Sequence, residues 1–363
     1  MSRTGAPYME WAKSRPKPAI DLAGSNLLAC SIDDLPGARE AVDVAGESPD
    51  GYPPLIEAIA QRYGTAPECV ATASGCSGAN FLACAAILET DDEVLVETPF
   101  YDPLPAAARM LGARVATFER RFETGYDIDP GVVAAAMTPK TRLIILSNPH
   151  NPSGALAAPE SLRAIGRLAE KHGCRILVDE VYLDTVFDPS ATSVSRLSPV
   201  FIGSNSLTKS YGLASLRCGW TLASPEITTR IRRARDIVDV WAPMPADRLA
   251  VVAFRNMKHL ARRARRIVEI NRRRVADWIG NRSDLEWVES RATIAFPRLT
   301  GVADAGPFVE RLFRDTGTAV APGYFFGAPA HFRLAFGGDP LLVERGLAAI
   351  AGCLDSPLLP ARS

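Results

Sequence analysis

Short apolar runs and amphipathic stretches take turns along residues 69–238 of this chain. Runs at 69–74, 93–97, 114–118, 142–147, 174–178, 200–203 and 218–222 have the length of strands. Between them, periodic patterns at about 78–89, 102–111, 130–136, 159–172 and 225–238 predict helices. An earlier helical pattern, Leu55–Tyr63, is stopped by Gly64. The runs are continuously apolar rather than strictly alternating. That predicts an α/β fold whose large unit is a mostly parallel seven-stranded sheet sandwiched by helices. In such sheets ligands gather beyond the carboxyl ends of the strands.

After Trp241-Ala-Pro-Met-Pro245 the cadence changes. One long helical pattern covers about 246–280 and is rich in arginine. Strands are expected at 285–288, 292–297, 318–320 and 331–336, and helices at 306–315 and 340–353. Residues 1–44 are rich in Pro, Gly and Asp, with a single apolar patch at Ala19–Ala23, and read as an arm without its own core. The expected division is a large unit over 45–245 and a smaller α+β unit made of 1–44 and 246–363.

Composition narrows the partners. The 363 residues carry 41 basic and 41 acidic side chains, so no net charge calls for nucleic acid or an anionic membrane. Glu269 and Asp277 interrupt the arginine-rich helix, which reads as a solvated or intersubunit face. No apolar run approaches the roughly 18 residues that would span a bilayer. The seven cysteines lack CxxC spacing and lie mostly in apolar segments, which reads as reduced thiols in a cytoplasmic protein and counts against a zinc site or a disulfide framework.

The polar residues of interest fall just after the apolar runs. Ser74-Gly75-Cys76-Ser77-Gly78 turns a strand into a helix, where backbone N–H groups can hold a phosphate. It is neither GxGxxG nor a lysine-ended P-loop, which counts against a dinucleotide or ATP site. Glu97-Thr-Pro-Phe-Tyr101 presents an aromatic that is either structural or stacked on a flat heterocycle. Ser147-Asn-Pro-His-Asn151-Pro-Ser-Gly154 makes a stiff turn that fixes a polar side chain. Asp179 ends a very apolar strand, where a carboxylate is costly unless it caps a helix or meets a cation, and Tyr182 follows it. Lys209 sits among Ser206, Thr208, Ser210 and Gly212, as either a solvated loop residue or an amine nucleophile beside a phosphate. Arg333, inside an apolar strand, needs an anionic partner: a structural ion pair or a substrate carboxylate.

Taken together, these residues resemble the class I/II aminotransferases among the fold-type I pyridoxal-phosphate enzymes. The likeness runs from about 50 to 337: Gly51 and Leu55, the glycine turn at 75–78, Pro99 and Tyr101, Asn-Pro-x-Asn-Pro-x-Gly at 148–154, Asp179 with Tyr182, Ser206 with Lys209, Arg217, Pro322-Gly323 and Arg333. The resemblance implies pyridoxal 5'-phosphate as cofactor, held by Lys209 as a Schiff base. It implies that Asp179 pairs with the ring nitrogen and that Tyr182 and Asn151 donate to the phenolic oxygen. Tyr101 would stack on the ring. Ser206, Thr208, Arg217 and the backbone of Gly75, Cys76 and Ser77 would hold the phosphate. Arg333 would clamp the substrate α-carboxylate, with Asn151 beside it and Gly24, Ser25 and Asn26 near the substrate. The implied reaction moves an amino group between an amino acid and a 2-oxo acid in a homodimer with its site near the subunit interface. Family members often carry a tyrosine about five residues before the glycine equivalent to Gly51; here that position is Gly46, with Tyr52 close by.

Two other readings fit the same residues. One is a β-elimination (carbon–sulfur) lyase or a cyclase on the same scaffold; the other is a non-catalytic cofactor-binding module. For the substrate side chain, Arg291 or Arg298 could meet a distal carboxylate. Trp241, Thr293, Phe296 and Tyr324 are expected as pocket walls, which leans toward a neutral or aromatic side chain.

Overall fold

The computed structural model describes residues 5–356. After a short β1 (Ile20–Asp21), seven strands form one sheet: β2 (Val70–Ser74), β3 (Glu93–Thr98), β4 (Arg114–Glu119), β5 (Thr141–Ser147), β6 (Arg175–Asp179), β7 (Phe201–Ser206) and β8 (Cys218–Leu222). Their order is β2-β8-β7-β6-β5-β3-β4, and only β8 runs antiparallel to its neighbours. Along each central strand, alternate residues go to opposite faces, and both faces are covered. Val94, Val96, Leu143, Ile145, Leu177 and Ile202 pack under one helical layer, while Leu95, Ile144, Leu146, Ile176 and Val178 pack under the other. Burial on both faces is why these strands read as unbroken apolar runs.

Register then lines up the polar strand ends. Ser147 on β5 is the partner of Asp179 on β6, and Asp179 is the partner of Ser204 on β7. The helix expected from about 78 begins at Gly75 and runs to Ile87, so the glycine turn is itself the first turn of that helix.

The long helix expected over 246–280 is two helices, Met244–Arg255 and Met257–Gly280. Asn256 breaks it. Its side-chain amide bonds back to Val252 O at 3.0 Å and across to Pro36 O at 3.1 Å, competing with the helical ladder. The first of the two packs on the large-sheet side, where Ala250, Val251 and Val252 meet Leu55, Ile59 and Trp220.

Toward the C-terminus the strands are shorter than the pattern suggests. Ile294–Ala295, Phe332–Ala335 and Ala321–Pro322 form a three-stranded antiparallel sheet, and Leu285–Glu286 pairs with Arg298–Leu299. The arm is more structured than its composition indicates. It opens with a helix, Pro7–Ser14, started by a proline in the first turn. Then β1 pairs in parallel with Thr318–Ala319, and Ile20, Leu22 and Leu27 pack into the C-terminal core beside Val268, Leu312 and Phe332.

Candidate active site

Asp179 ends β6 at the bottom of a cavity of about 200 Å³. Its Oδ1 accepts from the Val181 amide at 3.0 Å and from the Cys76 thiol at 3.4 Å; its Oδ2 accepts from Asn80 Nδ2 at 2.9 Å. Burial pushes the carboxyl pKa up. The hydrogen bonds from Val181, Asn80 and Cys76 and the nearby Lys209 charge pull the other way.

Lys209 lies on a five-residue helical turn, Leu207–Tyr211, whose start is capped by Ser206 Oγ accepting from the Thr208 amide. Its Nζ donates to Ser25 Oγ at 3.0 Å and to Asn26 Oδ1 at 2.7 Å. Desolvation and the Arg333 charge lower its pKa to about 8, against the opposing pull of Asp179. The arm residues expected near a substrate therefore meet the lysine amine itself.

Gly75 has φ +72°, and a Cβ built on it would lie 2.2 Å from Arg217 Nη2. Only glycine lets the guanidinium close over that turn. Behind it, a Cβ on Gly219 would lie 2.2 Å from the Gly75 carbonyl carbon, so β8 needs glycine for the same approach. Arg217 Nη2 donates to Ser74 O at 3.4 Å and Nη1 to Ala214 O at 3.3 Å. Cys76, Ser77, Ser206, Thr208 and Arg217 line this end of the cavity.

Arg333 is fully buried, between the rings of Tyr8 and Phe326 at 4.9 and 4.8 Å. Its Nη1 donates to Asn151 Oδ1 at 2.9 Å, and its Nη2 to the Tyr8 hydroxyl and to Ala23 O at 3.1 Å. The Nε has no hydrogen-bond partner. Among the described residues no carboxylate forms an ion pair with it. The other fully buried arginine, Arg120, does have one, in Glu97 at 2.7 Å. An uncompensated buried cation is expensive, and an anionic ligand relieves that cost. Behind Asn151, Ser147 Oγ accepts from the Asn151 amide at 2.8 Å and donates to Glu97 at 2.6 Å, which ties the asparagine turn to the Arg120 ion pair.

The cavity lining thus brings together Ser25, Asn26, Cys76, Ser77, Tyr101, Asn151, Asp179, Ser206, Thr208, Lys209 and Arg217. Gly75, Tyr182 and Arg333 stand just behind it. Gly24 does not belong: it is exposed, its amide bonded to Asp21 at 3.1 Å, and it is the carbonyl of Ala23 that reaches Arg333. The expected pocket walls also lie elsewhere. Trp241 and Tyr324 are exposed at the surface, while Thr293 and Phe296 are buried without lining the cavity. Arg298 is held by Glu286 at 2.6 Å, and Arg291 faces Asp188 at 4.0 Å. Sequence reasoning missed Tyr8, Met9 and Asn80. The proline-started helix was the available signal for the first two, and a lone amide in an apolar helix was the signal for Asn80. A larger surface groove of about 700 Å³ near Arg62 and Arg255 brings none of the strand-end residues together.

The residues fit pyridoxal phosphate. The Tyr182 hydroxyl is buried without a well-formed hydrogen bond, and burial pushes its pKa up to about 12, so it remains a donor. The Gly75 turn is a cradle that any Cβ would fill. A carboxylate, an amine and a guanidinium stand around the same space. Among the described residues no His/Cys/Asp/Glu cluster could hold a metal, and no helix is long and apolar enough to cross a membrane.

Comparison with known proteins agrees. The family model for aminotransferase class I and II matches residues 45–350. The chain is 32% identical to capreomycidine synthase of Streptomyces vinaceus over 301 residues, 82% of this chain and 77% of the relative. It is 28% identical to aspartate/prephenate aminotransferase of Thermus thermophilus, over 84% of this chain and 82% of that one. A PLP-dependent aminotransferase from Streptococcus suis superposes with a TM-score of 0.91 over 98% of both chains; at 24% identity this shows the fold. With the family model spanning most of the chain and the fold shared end to end, this protein belongs to the class I and II aminotransferases, enzymes that depend on pyridoxal phosphate.

Proposed function

We propose that this chain holds pyridoxal phosphate in the cavity over Asp179 and uses Lys209 to move an amino group between an amino acid and a 2-oxo acid. The observation that carries this reading is the single cavity lined by Lys209, the buried Asp179 and Asn151, with the fully buried Arg333 bonded to that asparagine at 2.9 Å. When bound, the cofactor supplies an aldehyde for amines and a ring that withdraws electrons from the substrate α-carbon. The chain's own groups do the rest. Asp179 would pair with the ring nitrogen and keep a proton there. Tyr182 and the Asn151 side-chain N–H would donate to the phenolic oxygen, Asn151 Oδ1 being taken by Arg333. Cys76 and Ser77 would offer first-turn amides to the phosphate, with Ser206, Thr208 and Arg217 beside them, while the Gly75 amide donates to Arg217 O at 2.7 Å. Tyr101 lines the cavity as the ring's stacking face.

Arg333 would take the substrate α-carboxylate, and Lys209 Nζ would take the proton from the substrate α-carbon and deliver it to the cofactor's C4′, two atoms away across the nitrogen. Clamping the carboxylate fixes which α-carbon bond is exposed to the base, and so selects proton abstraction over loss of CO₂. Ser25 and Asn26 hold the lysine amine whenever it is free.

A homodimer is part of the proposal. Val42, Val44, Ile237, Val238, Val240 and Trp241 are exposed apolar side chains. Apolar side chains left exposed in this way suit a second copy of the chain. Free cysteines support a cytoplasmic setting. Of the division into a large unit, 45–245, and a small unit, 1–44 with 246–363, the packing of Ile20, Leu22 and Leu27 in the C-terminal core supports the arm's assignment, whereas Met244–Arg255 packs with the large sheet.

One relative is named a capreomycidine synthase and not an aminotransferase, which favours keeping a second reading for this chain, a lyase or cyclase that begins with the same proton abstraction. A panel of amino acids, assayed with and without an added 2-oxo acid, separates them. Amino transfer that requires the oxo acid supports the proposal. Release of ammonia and an oxo acid without it overturns transamination in favour of elimination.

A further inference from the structure

Asp179 is held on its two oxygens in different ways. Oδ1 meets a backbone amide and a thiol on the cavity side, Val181 N–H and Cys76 S–H. Oδ2 meets one donor, Asn80 Nδ2, at 2.9 Å. Asn80 is buried and cannot present either face of its amide. Its Oδ1 accepts from the Ser204 hydroxyl at 2.5 Å, and turning the amide over would set that oxygen against the carboxylate. Ser204 stands on β7 as the direct strand partner of Asp179, so the three side chains sit on two paired strands and one helix.

The helix adds a second constraint. Cys76 and Asn80 are four residues apart on Gly75–Ile87, on one face, and both reach Asp179. The first turn of the same helix forms the Gly75 cradle. One rigid element therefore fixes both the phosphate end of the site and the carboxylate at its far end. No cation forms an ion pair with Asp179 among the described residues, so its orientation depends on neutral donors.

We propose that Asn80, locked by Ser204, is the positioning residue that aims Asp179 at the cofactor's ring nitrogen. This rests on the reading of Asp179 given above. The amide acts only through the carboxylate, so its removal is felt by a ligand that carries the ring nitrogen and not by one that lacks it.

The test uses the full-length apoprotein and two ligands: pyridoxal phosphate, and its deaza analogue with carbon in place of the ring nitrogen. Affinities are read by quenching of protein fluorescence. Wild type binds pyridoxal phosphate more tightly than the analogue. Asn80→Leu, close in volume, weakens pyridoxal phosphate on the order of tenfold, as expected for losing one hydrogen bond to a charged group, and leaves analogue binding unchanged. Ser204→Ala gives the same selective loss, smaller, and carries the test if Asn80→Leu does not fold. Equal weakening of both ligands, or of neither, in the folded variants overturns the proposal. A wild type indifferent to the ring nitrogen overturns the reading of Asp179 itself, and the proposal with it, and is distinguishable because it is seen before any variant is made.

Discussion

Lys209 and Asn26, 183 residues apart in the chain, are joined by a hydrogen bond of 2.7 Å from Nζ to Oδ1. The contact sets the free lysine amine against neutral oxygens of the arm in a site where Arg333 repels its charge. Its pKa of about 8 follows from burial first and that repulsion second. In the apoprotein, the rate of Lys209 modification by an amine reagent should therefore rise through a midpoint near 8, located by peptide mass mapping. The oxygens of Ser25 and Asn26 stabilise the ammonium, so Asn26→Ala moves that midpoint downward. A wild-type midpoint at the ordinary lysine value contradicts the assigned environment.

Arg333 is the group proposed to take the substrate carboxylate, and lysine cannot reproduce its contacts with Asn151, Tyr8 and Ala23. Arg333→Lys should lower kcat/KM for amino acid donors by on the order of a hundredfold, the upper range for a hydrogen-bonded charge. Tyr8→Phe keeps the ring over the guanidinium and removes one oxygen, so a smaller loss is expected. Steady-state kinetics on both variants check the order. A Tyr8→Phe loss as large as that of Arg333→Lys would contradict it.

At Gly75, alanine brings a positive φ and a clash with Arg217 together. Gly75→Ala should cost about 1–3 kcal/mol of apoprotein stability from backbone strain and weaken cofactor binding further, because Arg217 must withdraw. Urea unfolding and cofactor titration on the same preparation separate the two effects. Unchanged cofactor affinity would place the phosphate elsewhere.

Glu97 and Arg120 form a buried ion pair with both side chains fully inaccessible, and Ser147 links it to the Asn151 turn. Arg120→Met leaves a buried carboxylate alone and should destabilise the protein by about 3–5 kcal/mol. The double variant Glu97→Gln with Arg120→Met should recover part of that loss, since no unpaired charge remains. Denaturant midpoints measured for the three proteins test this directly.

The sheet was legible because burial on both faces writes each strand as a continuous apolar run, as at Leu143–Leu146 and Ile176–Val178. The motif residues were legible because they follow those runs directly, and the parallel register then sets Ser147 beside Asp179. What escaped depends on contacts the local pattern does not contain. Tyr8 reaches Arg333 across 325 residues, and the proline in the arm marks the start of a helix but not that meeting. Asn80 meets Asp179 only because one helix lies in one register against β6. Asn256 ends a helix whose apolar period continues on both sides of it. Arg291 and Arg298 stood beside an apolar run, as a distal-carboxylate ligand would, but the short strands turn them to Asp188 and Glu286.

The central claim is that Lys209 is the amine that carries the cofactor and moves the proton. Borohydride reduction of the cofactor-loaded protein, followed by peptide mass mapping, tests it most directly. The account predicts a phosphopyridoxyl group on Lys209 alone, and loss of amino transfer in Lys209→Ala. A group attached at another lysine, or amino transfer retained in Lys209→Ala, would contradict it.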